Sequence, residues 1–229
     1  MGKKNTGKTS LTVKIIEELK NRGLKVASIK HSHHMLEMDR ENTDTWKHKE
    51  AGSETVVGIG SRTFFNIAKD LPLERLLFLI KIIDEPDFVV IEGFKNYNYA
   101  KISTSEEITD DFTLKNVDAL NIKDSEIPDL VDLIENNSYD IVDTLYTDIC
   151  GLNDGESIAK AIINQKNQIK TDDVEVLLSI NEKVIGVNSF VSSFMKNSIL
   201  GMLDSLKTEE YGIKKFDKVE LVIDNGNKE

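Results

Sequence analysis

This chain of 229 residues lacks the features that mark secreted and membrane proteins. Its single cysteine, Cys150, excludes an internal disulfide framework and fits a reducing cytoplasm. No apolar run approaches the ~18 residues that a membrane helix needs, and no secretory signal opens the chain. Hydrophobic residues make up 39% and charged residues 30%, a balance typical of globular proteins. We therefore expect a cytoplasmic protein without a membrane partner.

Positive charge is also scarce, and its distribution is uneven. The formal net charge of −11 argues against a general nucleic-acid binder, because such proteins need a basic surface for the phosphates. Residues 1–30 nevertheless hold eight Lys or Arg against two Asp or Glu. A basic start on an acidic chain suits a small polyanionic ligand such as a nucleoside triphosphate.

The first residues contain a phosphate-binding motif. Gly2 to Thr9 match the pattern G-x-x-x-x-G-K-[ST], in which the glycines let successive backbone N–H groups curl around phosphate oxygens. The Lys8 ammonium would reach the β- and γ-phosphates, and the Thr9 hydroxyl would hold Mg²⁺. An amphipathic helix follows at once and adds the positive end of its dipole. The residues that we predict to bind the nucleotide here are Gly2, Lys3, Lys4, Asn5, Thr6, Gly7, Lys8, Thr9 and Ser10.

The sequence offers no strand before this loop. A loop of this kind should follow a buried parallel strand, but only Met1 precedes Gly2. Such a strand would bury about five apolar residues, on the order of 10 kcal/mol, which is as large as the stability of a whole domain. We therefore expect the natural chain to start upstream of Met1, and the mass of the native protein would test this.

Beyond the loop, strands and helices alternate, which is typical of an α/β fold with crossover connections. The apolar run Phe88-Val89-Val90-Ile91 has the pattern of a central parallel strand that is buried on both faces. We predict a three-layer P-loop NTPase fold with a mainly parallel sheet. The predicted strands are 26–29, 55–59, 63–67, 88–91, 101–103, 118–122 and 219–223, with a hairpin at 174–180 and 184–187; helices are expected at 43–51, from Pro72, from Pro128 and at 190–206.

A break rich in Gly, Asn and Asp near Cys150 to Gly155 predicts a division of the chain. Residues 1–148 would form the nucleotide-binding domain. Residues 149–229 would form a small α+β domain of unknown role.

Several polar residues should meet the loop, because ligands of α/β sheets bind at the carboxyl ends of the strands. Glu92 ends the central strand where an acidic residue would orient Mg²⁺ or its water; otherwise it is a strand-end carboxylate without a ligand. Lys30 and His31 end another strand. Asp39 could be a second Mg²⁺ or water-orienting group, or a solvated loop residue. We assign catalysis to Lys8, Thr9 and Glu92, and the metal to Thr9, Asp39 and Glu92.

All four histidines lie between His31 and His48. The cluster of His31, His33 and His34 could bind a metal, since imidazole is a common ligand, but further ligands at suitable spacing are not evident. Hydrogen bonding to phosphate or to a second anionic ligand agrees better with their position. They could also simply cap a strand end.

Four segments together resemble the MobB family of molybdopterin-guanine dinucleotide biosynthesis adaptor proteins. They are GKKNTGKTSL, IKHSHH with Asp39 following, WKHKEAGS and VVIEGFK, and the resemblance covers about residues 1–103. It implies a GTP-binding P-loop fold, Mg²⁺, a homodimer and weak GTP hydrolysis. It further implies assistance to the MobA-type guanylyltransferase that attaches GMP to molybdopterin. Carried over, Lys30, His31, His33 and His34 would line the site and face the pterin phosphate or the partner enzyme.

The chain departs from this family pattern in three places. It lacks the strand before the loop, and Lys101 to Ser105 contain no arginine where the family segment tends to end in one. Longer relatives are expected to carry several cysteines near the domain boundary, but Cys150 alone cannot complete a four-thiolate cluster. The guanine-reading N-K-x-D motif is also absent, so the residues do not fix the base.

Two other functions agree with the same sequence. The loop does not determine the acceptor, so the chain could be an ATP-dependent kinase or ligase of small molecules. Turnover of an acid substrate with ATP would favour that function. The absent strand alternatively suggests a non-catalytic scaffold with a degenerate nucleotide site.

Overall fold

The computed structural model describes residues 1–32, 39–142, 155–163, 175–213, 215 and 217–224. Its helices are α1 Lys8–Asn21, α2 Asp44–Glu50, α3 Leu73–Ile83, α4 Ile127–Asn137, α5 Gly155–Ile163 and α6 Ser189–Leu203. Its strands are β1 Val26–Lys30, β2 Thr55–Ile59, β3 Thr63–Ile67, β4 Phe88–Glu92, β5 Lys101–Ser103, β6 Thr113–Asn116, β7 Leu178–Ile180 and β8 Lys183–Ile185. None of the described helices is long and apolar enough to cross a membrane.

Strands β1 and β4 form the centre of the fold. They run parallel with continuous register from Val26 opposite Phe88 to Lys30 opposite Glu92. Strands β5 and β6 are also parallel, whereas β2–β3 and β7–β8 are antiparallel hairpins. Because β1 and β4 end in register, the side chains of Lys30 and Glu92 meet at one edge of the sheet.

Helices cover both faces of these strands. On one face, Phe88 and Val90 of β4 pack into a core built around Leu11, Ile15 and Leu19 of α1 together with α4. On the other face, Val89 and Ile91 pack against α3 and its neighbours. Successive side chains of a strand point to opposite faces, so an apolar run fills both cores. The arrangement confirms the predicted three-layer α/β fold.

Arg22 fastens α1 to α4. Its guanidinium donates to Glu18 on its own helix at 2.9 Å and to Asp132 on α4 at 2.6 Å, and it also pairs with Glu135. The hydrogen bonds to Asp132 and Glu18 raise the pKa of Arg22, which remains charged. This ion-pair cluster fixes the end of α1 that lies far from the phosphate-binding loop.

Two predicted strands are wrong. Residues 118–122 form a turn, because the Asp118 carboxylate accepts hydrogen bonds from the Leu120 amide at 3.2 Å and from the Asn121 side chain at 2.7 Å. The sixth strand is instead β6, at Thr113–Asn116. Val219–Ile223 forms no strand and pairs with none of the described strands, and Val222 and Ile223 are largely exposed. Alternation of apolar residues thus produced a strand only where a partner strand was available.

The C-terminal elements are short. The predicted hairpin is confirmed as β7–β8, with Asn181 and Glu182 at its turn in left-handed backbone conformations. Leu178 and Val184 of this hairpin pack into the cluster of α3. The predicted domain division at 148/149 and Cys150 lie outside the described residues, so that division stays a prediction.

Candidate functional site

The phosphate-binding loop is curled by residues in the left-handed region. Asn5 has φ +62° and Gly7 has φ +76°, while Gly2 has φ +151°. A Cβ on Gly2 would lie 2.1 Å from the Thr104 hydroxyl, and one on Gly7 would lie 3.1 Å from the Ala119 carbonyl carbon. Both glycines of the motif are therefore required by backbone conformation and by close packing against neighbouring segments.

A comparison of the two glycines that flank α1 tests this packing. Gly7 precedes α1 with φ +76°, and Gly23 follows it with φ +85° and open space around its missing Cβ. We expect Gly23→Ala to lower the free energy of unfolding by about 1 kcal/mol, the backbone cost alone. Gly7→Ala should cost about 2–4 kcal/mol, because its methyl group also presses on Ala119 and Leu120. Urea denaturation measures both, and equal costs would contradict the packing argument.

Residues after β5, which the sequence motifs did not predict as part of the site, hold the loop. The Thr104 hydroxyl lies 2.6 Å from the Thr6 hydroxyl and 3.2 Å from the Met1 carbonyl oxygen. The Ser105 hydroxyl accepts from the Lys3 amide at 2.9 Å. The detectable signal was their position, because hydroxyl residues that follow a parallel strand lie at the ligand edge of the sheet.

Thr9, Lys30 and Glu92 form one polar cluster beside the loop. The Thr9 hydroxyl donates to the Glu92 carboxylate, at 3.1 and 3.2 Å from its two oxygens. The Lys30 ammonium donates to the same carboxylate at 2.6 Å and lies 3.3 Å from the Thr9 hydroxyl. Glu92 has only 12% of its side chain exposed, whereas Lys30 has 49% exposed. The structure thus brings together three residues that were predicted from separate segments.

Lys8 stays within the loop. Its ammonium donates to the carbonyl oxygen of Lys3, five residues earlier in the same loop. Lys3, Lys4, Asn5 and Ser10 are exposed around it. In loops of this motif, backbone N–H groups and the lysine ammonium together bind a polyphosphate.

His31 lies at the end of β1, and its ring packs on Phe94. The ring centroids are 4.4 Å apart, and the His31 amide donates to the Glu92 carbonyl oxygen at 2.8 Å. Gly93 permits this approach, since its φ is +121° and a Cβ there would lie 2.9 Å from the His31 carbonyl oxygen. His33 and His34, which were predicted to line the site, lie outside the described residues.

Asp39 is held by the start of α2. Its Oδ1 accepts hydrogen bonds from the hydroxyls of Thr43 at 2.9 Å and Thr45 at 3.0 Å, and from the Arg40 amide at 2.9 Å. Burial acts to raise the pKa of Asp39, but these three hydrogen bonds hold it below its usual value. These hydrogen bonds all go to Oδ1 and explain how the side chain is held. They do not test the predicted metal role of Asp39, which stays a prediction.

The donor set determines what the site can bind. Backbone amides and Lys8 suit phosphate oxygens, and the adjacent hydroxyl and carboxylate of Thr9 and Glu92 are hard oxygen donors that suit Mg²⁺. Across the described part of the chain, no group of three or more His, Cys, Asp or Glu residues could hold a metal ion by itself. A divalent cation at this place would be held by Thr9 and Glu92 together with oxygens of a bound phosphate.

Comparison with known proteins identifies the family. The model of the family MobB, described as molybdopterin guanine dinucleotide synthesis protein B, matches residues 1–122, more than half of the chain. The chain belongs to the MobB family. All the site residues described above lie inside this matched region, whereas α4 to α6 and β7–β8 of this MobB chain lie beyond it.

Curated relatives of this MobB chain carry the same family description. A putative molybdopterin-guanine dinucleotide biosynthesis adapter protein of Methanocaldococcus jannaschii is 30% identical over 221 residues, covering 90% of each chain. The adapter protein of Haemophilus influenzae is 32% identical over 151 residues, covering 59% of this chain and 85% of its own. The crystal structure of Bacillus subtilis MobB has a TM-score of 0.40 at 28% identity, over 44% of this chain and 63% of that one.

Proposed function

We propose that this chain binds GTP with Mg²⁺ in the loop Gly2–Ser10, hydrolyses it slowly and acts in the cytoplasm as an adaptor of molybdenum cofactor biosynthesis. Its partner would be a guanylyltransferase of the MobA type, which attaches GMP to molybdopterin. The observation that carries the nucleotide proposal is the cluster of Thr9, Lys30 and Glu92 beside the curled loop. This cluster joins the motif residue that would hold Mg²⁺ to the acid that ends the central strand.

The chemistry of binding follows from the chain's own groups. Loop amides would donate hydrogen bonds to the phosphate oxygens, and Lys8 would leave the Lys3 carbonyl oxygen to pair with the β- and γ-phosphates. Thr9 and Glu92 would hold Mg²⁺, which when bound neutralises charge that develops on the phosphates. Lys30, which already neutralises Glu92, would turn its ammonium to the phosphate when Glu92 engages the metal.

The names of the relatives support the pathway. Those from Methanocaldococcus jannaschii and Haemophilus influenzae are described as adapter proteins of molybdopterin-guanine dinucleotide biosynthesis. We extend this role to the present chain and include a molybdopterin-type ligand among its partners. His31, His33 and His34 would face that ligand or the guanylyltransferase, since His31 lies at the same sheet edge as Glu92.

Calorimetric titration of the chain with GTP·Mg²⁺ and with ATP·Mg²⁺ tests the proposal. We expect GTP to bind at least about tenfold more tightly than ATP, and the chain to raise the yield of molybdopterin guanine dinucleotide from a MobA-type enzyme. A preference for ATP with turnover of an acid substrate would contradict the proposal and indicate a kinase or ligase. Failure of both nucleotides to bind would contradict the nucleotide role and leave a scaffold.

The hairpin β2–β3 presents an apolar face that supports the proposed homodimer. Cross-strand register places Val57 opposite Phe65 and Ile59 opposite Thr63, so these side chains share one face. Phe65 is 57% exposed and Ile59 is 83% exposed. Contiguous exposed apolar side chains of this kind mark an interaction surface. We propose that two copies of the chain pair through this face.

Substitution of Phe65 tests the pairing. We expect the parent chain to show twice the mass of one chain by light scattering, and Phe65→Lys to raise the dimer dissociation constant by about 30-fold or more, because a charge would be buried at the interface. Phe190→Lys on α6 is the matched control, since Phe190 is equally apolar and 77% exposed. A monomeric parent, or equal dissociation by both variants, would contradict the proposal.

A further inference from the structure

The turn that follows β6, at residues 118–121, lies against the phosphate-binding loop. A Cβ on Gly7 would lie 3.1 Å from both the carbonyl carbon and the Cβ of Ala119, and 3.1 Å from a methyl carbon of Leu120. Gly7 is the residue that precedes α1, where the loop passes into the helix. The 118–121 turn therefore borders the loop at the start of α1.

The position of this turn suits the base of a nucleotide whose phosphates lie in the loop. The ribose separates the base from the phosphates, so the base must lie beside the loop and not inside it. Strand β6 runs parallel to β5, and the turn follows the carboxyl end of β6 just as Thr104 and Ser105 follow that of β5. Ligands of α/β sheets bind at these carboxyl ends. The turn and the loop therefore share the edge of the sheet at which a nucleotide would lie.

Leu120 places an apolar side chain on the surface of the 118–121 turn. It is 69% exposed, whereas Ala119 beside it is buried. The other two residues of the turn, Asp118 and Asn121, are polar. Proteins that bind a nucleobase pack its planar faces against aromatic or apolar side chains. An exposed leucine next to a phosphate-binding loop is therefore suited to cover one face of a base.

Asp118 is the acceptor of the turn, and its carboxylate is held in one orientation. Its Oδ1 accepts from the Leu120 amide at 3.2 Å, and its Oδ2 accepts from the side-chain amide of Asn121 at 2.7 Å. The hydrogen bond from Asn121 is the main cause that lowers the pKa of Asp118, so the group is ionised at neutral pH. An ionised carboxylate offers about four acceptor positions, and these two bonds leave one on each oxygen.

We propose that the 118–121 turn reads the base of the bound nucleotide and selects guanine, an inference that rests on the proposed nucleotide site in the loop. Asp118 accepts hydrogen bonds from N1–H and from the 2-amino group of guanine, two donors that lie side by side on the ring. Leu120 covers one face of the base. Asn121 holds the carboxylate in place.

The same carboxylate rejects adenine. Adenine carries a lone pair on N1 and has no amino group at C2, so Asp118 would face an acceptor and gain no hydrogen bond. A buried polar group that loses its partners in this way is the strongest means by which a site discriminates between similar ligands. The turn thus supplies the base selectivity that the absent N-K-x-D motif leaves open.

Asp118→Asn in the full chain tests base reading by a change of preference. The amide has the size of the carboxylate but presents an NH₂ donor, which meets the 2-amino donor of guanine unfavourably. Xanthine carries a carbonyl oxygen at that position, which would accept from the new amide. We expect the variant to bind GTP·Mg²⁺ at least about 30-fold more weakly than the parent, and XTP·Mg²⁺ at least about tenfold more tightly, by calorimetric titration.

Asp124→Asn is the matched control. Asp124 is an exposed acid that follows the same turn, and its carboxylate accepts from the Lys14 ammonium at 2.8 Å. We expect this variant to bind both nucleotides within about twofold of the parent. A variant whose turn had merely loosened would bind GTP and XTP more weakly alike, so a gain in XTP affinity reports base reading and not structural damage.

Inorganic tripolyphosphate separates this inference from the proposed function, because it carries the phosphates without a base. We expect the parent and Asp118→Asn to bind it equally. If both bind it but Asp118→Asn shows no shift from GTP to XTP, the loop holds phosphates and the base-reading role of the turn is overturned. The same switch in Asp124→Asn would overturn it as well. If the parent binds neither tripolyphosphate nor GTP, the proposed nucleotide site itself fails, and this inference fails with it.

Discussion

Lys8→Ala should weaken GTP·Mg²⁺ binding by about 100-fold or more, close to 3 kcal/mol. The ammonium of Lys8 is the only side-chain cation that the motif itself directs at the phosphates. In the structure its partner is the Lys3 carbonyl oxygen, which a bound phosphate would replace. Isothermal titration of parent and variant under identical salt measures the loss.

The fold should tolerate this substitution, and that makes the experiment decisive. Lys8 makes one exposed hydrogen bond in the loop, and its charge repels the Met1 ammonium. We expect the free energy of unfolding to change by less than about 0.5 kcal/mol. Lys20→Ala is the matched control, because Lys20 is an exposed cation in the last turn of the same helix. Equal binding by Lys8→Ala and the parent would contradict the assignment of the loop as a phosphate site.

The elements around the site could be predicted because local signals and tertiary context agree there. The apolar run at Phe88 predicted a central parallel strand, and β4 forms one in full register with β1. The loop motif predicted where α1 begins, and Gly7 precedes it in a left-handed conformation. The meeting of Lys30 with Glu92 follows from the parallel pairing of β1 and β4, because parallel strands end at the same edge of a sheet.

Contacts between distant segments could not be predicted in the same way. Thr104 fixes the loop through Thr6 and Met1; its position after β5 indicates the ligand edge of the sheet, but its residue type does not indicate which segment it contacts there. Asp118 begins an apolar stretch that was predicted as a strand. Its carboxylate instead accepts a hydrogen bond from the Leu120 amide, which is then not available to a neighbouring strand. The contacts of Asp39 Oδ1 with the hydroxyls of Thr43 and Thr45 were not predicted either, and the metal role of Asp39 stays a prediction. Which partner each of these side chains hydrogen-bonds depends on the geometry of the fold and not on the residue type alone.

Glu92→Gln should reduce the gain in GTP affinity that Mg²⁺ provides, by about 10- to 100-fold. The substitution keeps the size of the side chain and removes its charge, so Lys30 loses an ion partner while remaining half exposed to water. Oxygen ligands that carry a full negative charge are what Mg²⁺ selects, and an amide oxygen is a weaker substitute. Titration of GTP with and without Mg²⁺ gives the linkage between the two ligands directly.

Two further variants separate metal binding from the arrangement of the cluster. Glu17→Gln removes one exposed carboxylate from α1, about 12 Å along the helix from Thr9, and should leave the Mg²⁺ dependence unchanged. Lys30→Met removes the ammonium but leaves the carboxylate, so Mg²⁺ should still strengthen GTP binding in that variant. If Lys30→Met instead abolishes the Mg²⁺ dependence as Glu92→Gln does, Glu92 acts by holding Lys30. In that case Thr9 and the phosphate oxygens, without Glu92, would hold the cation.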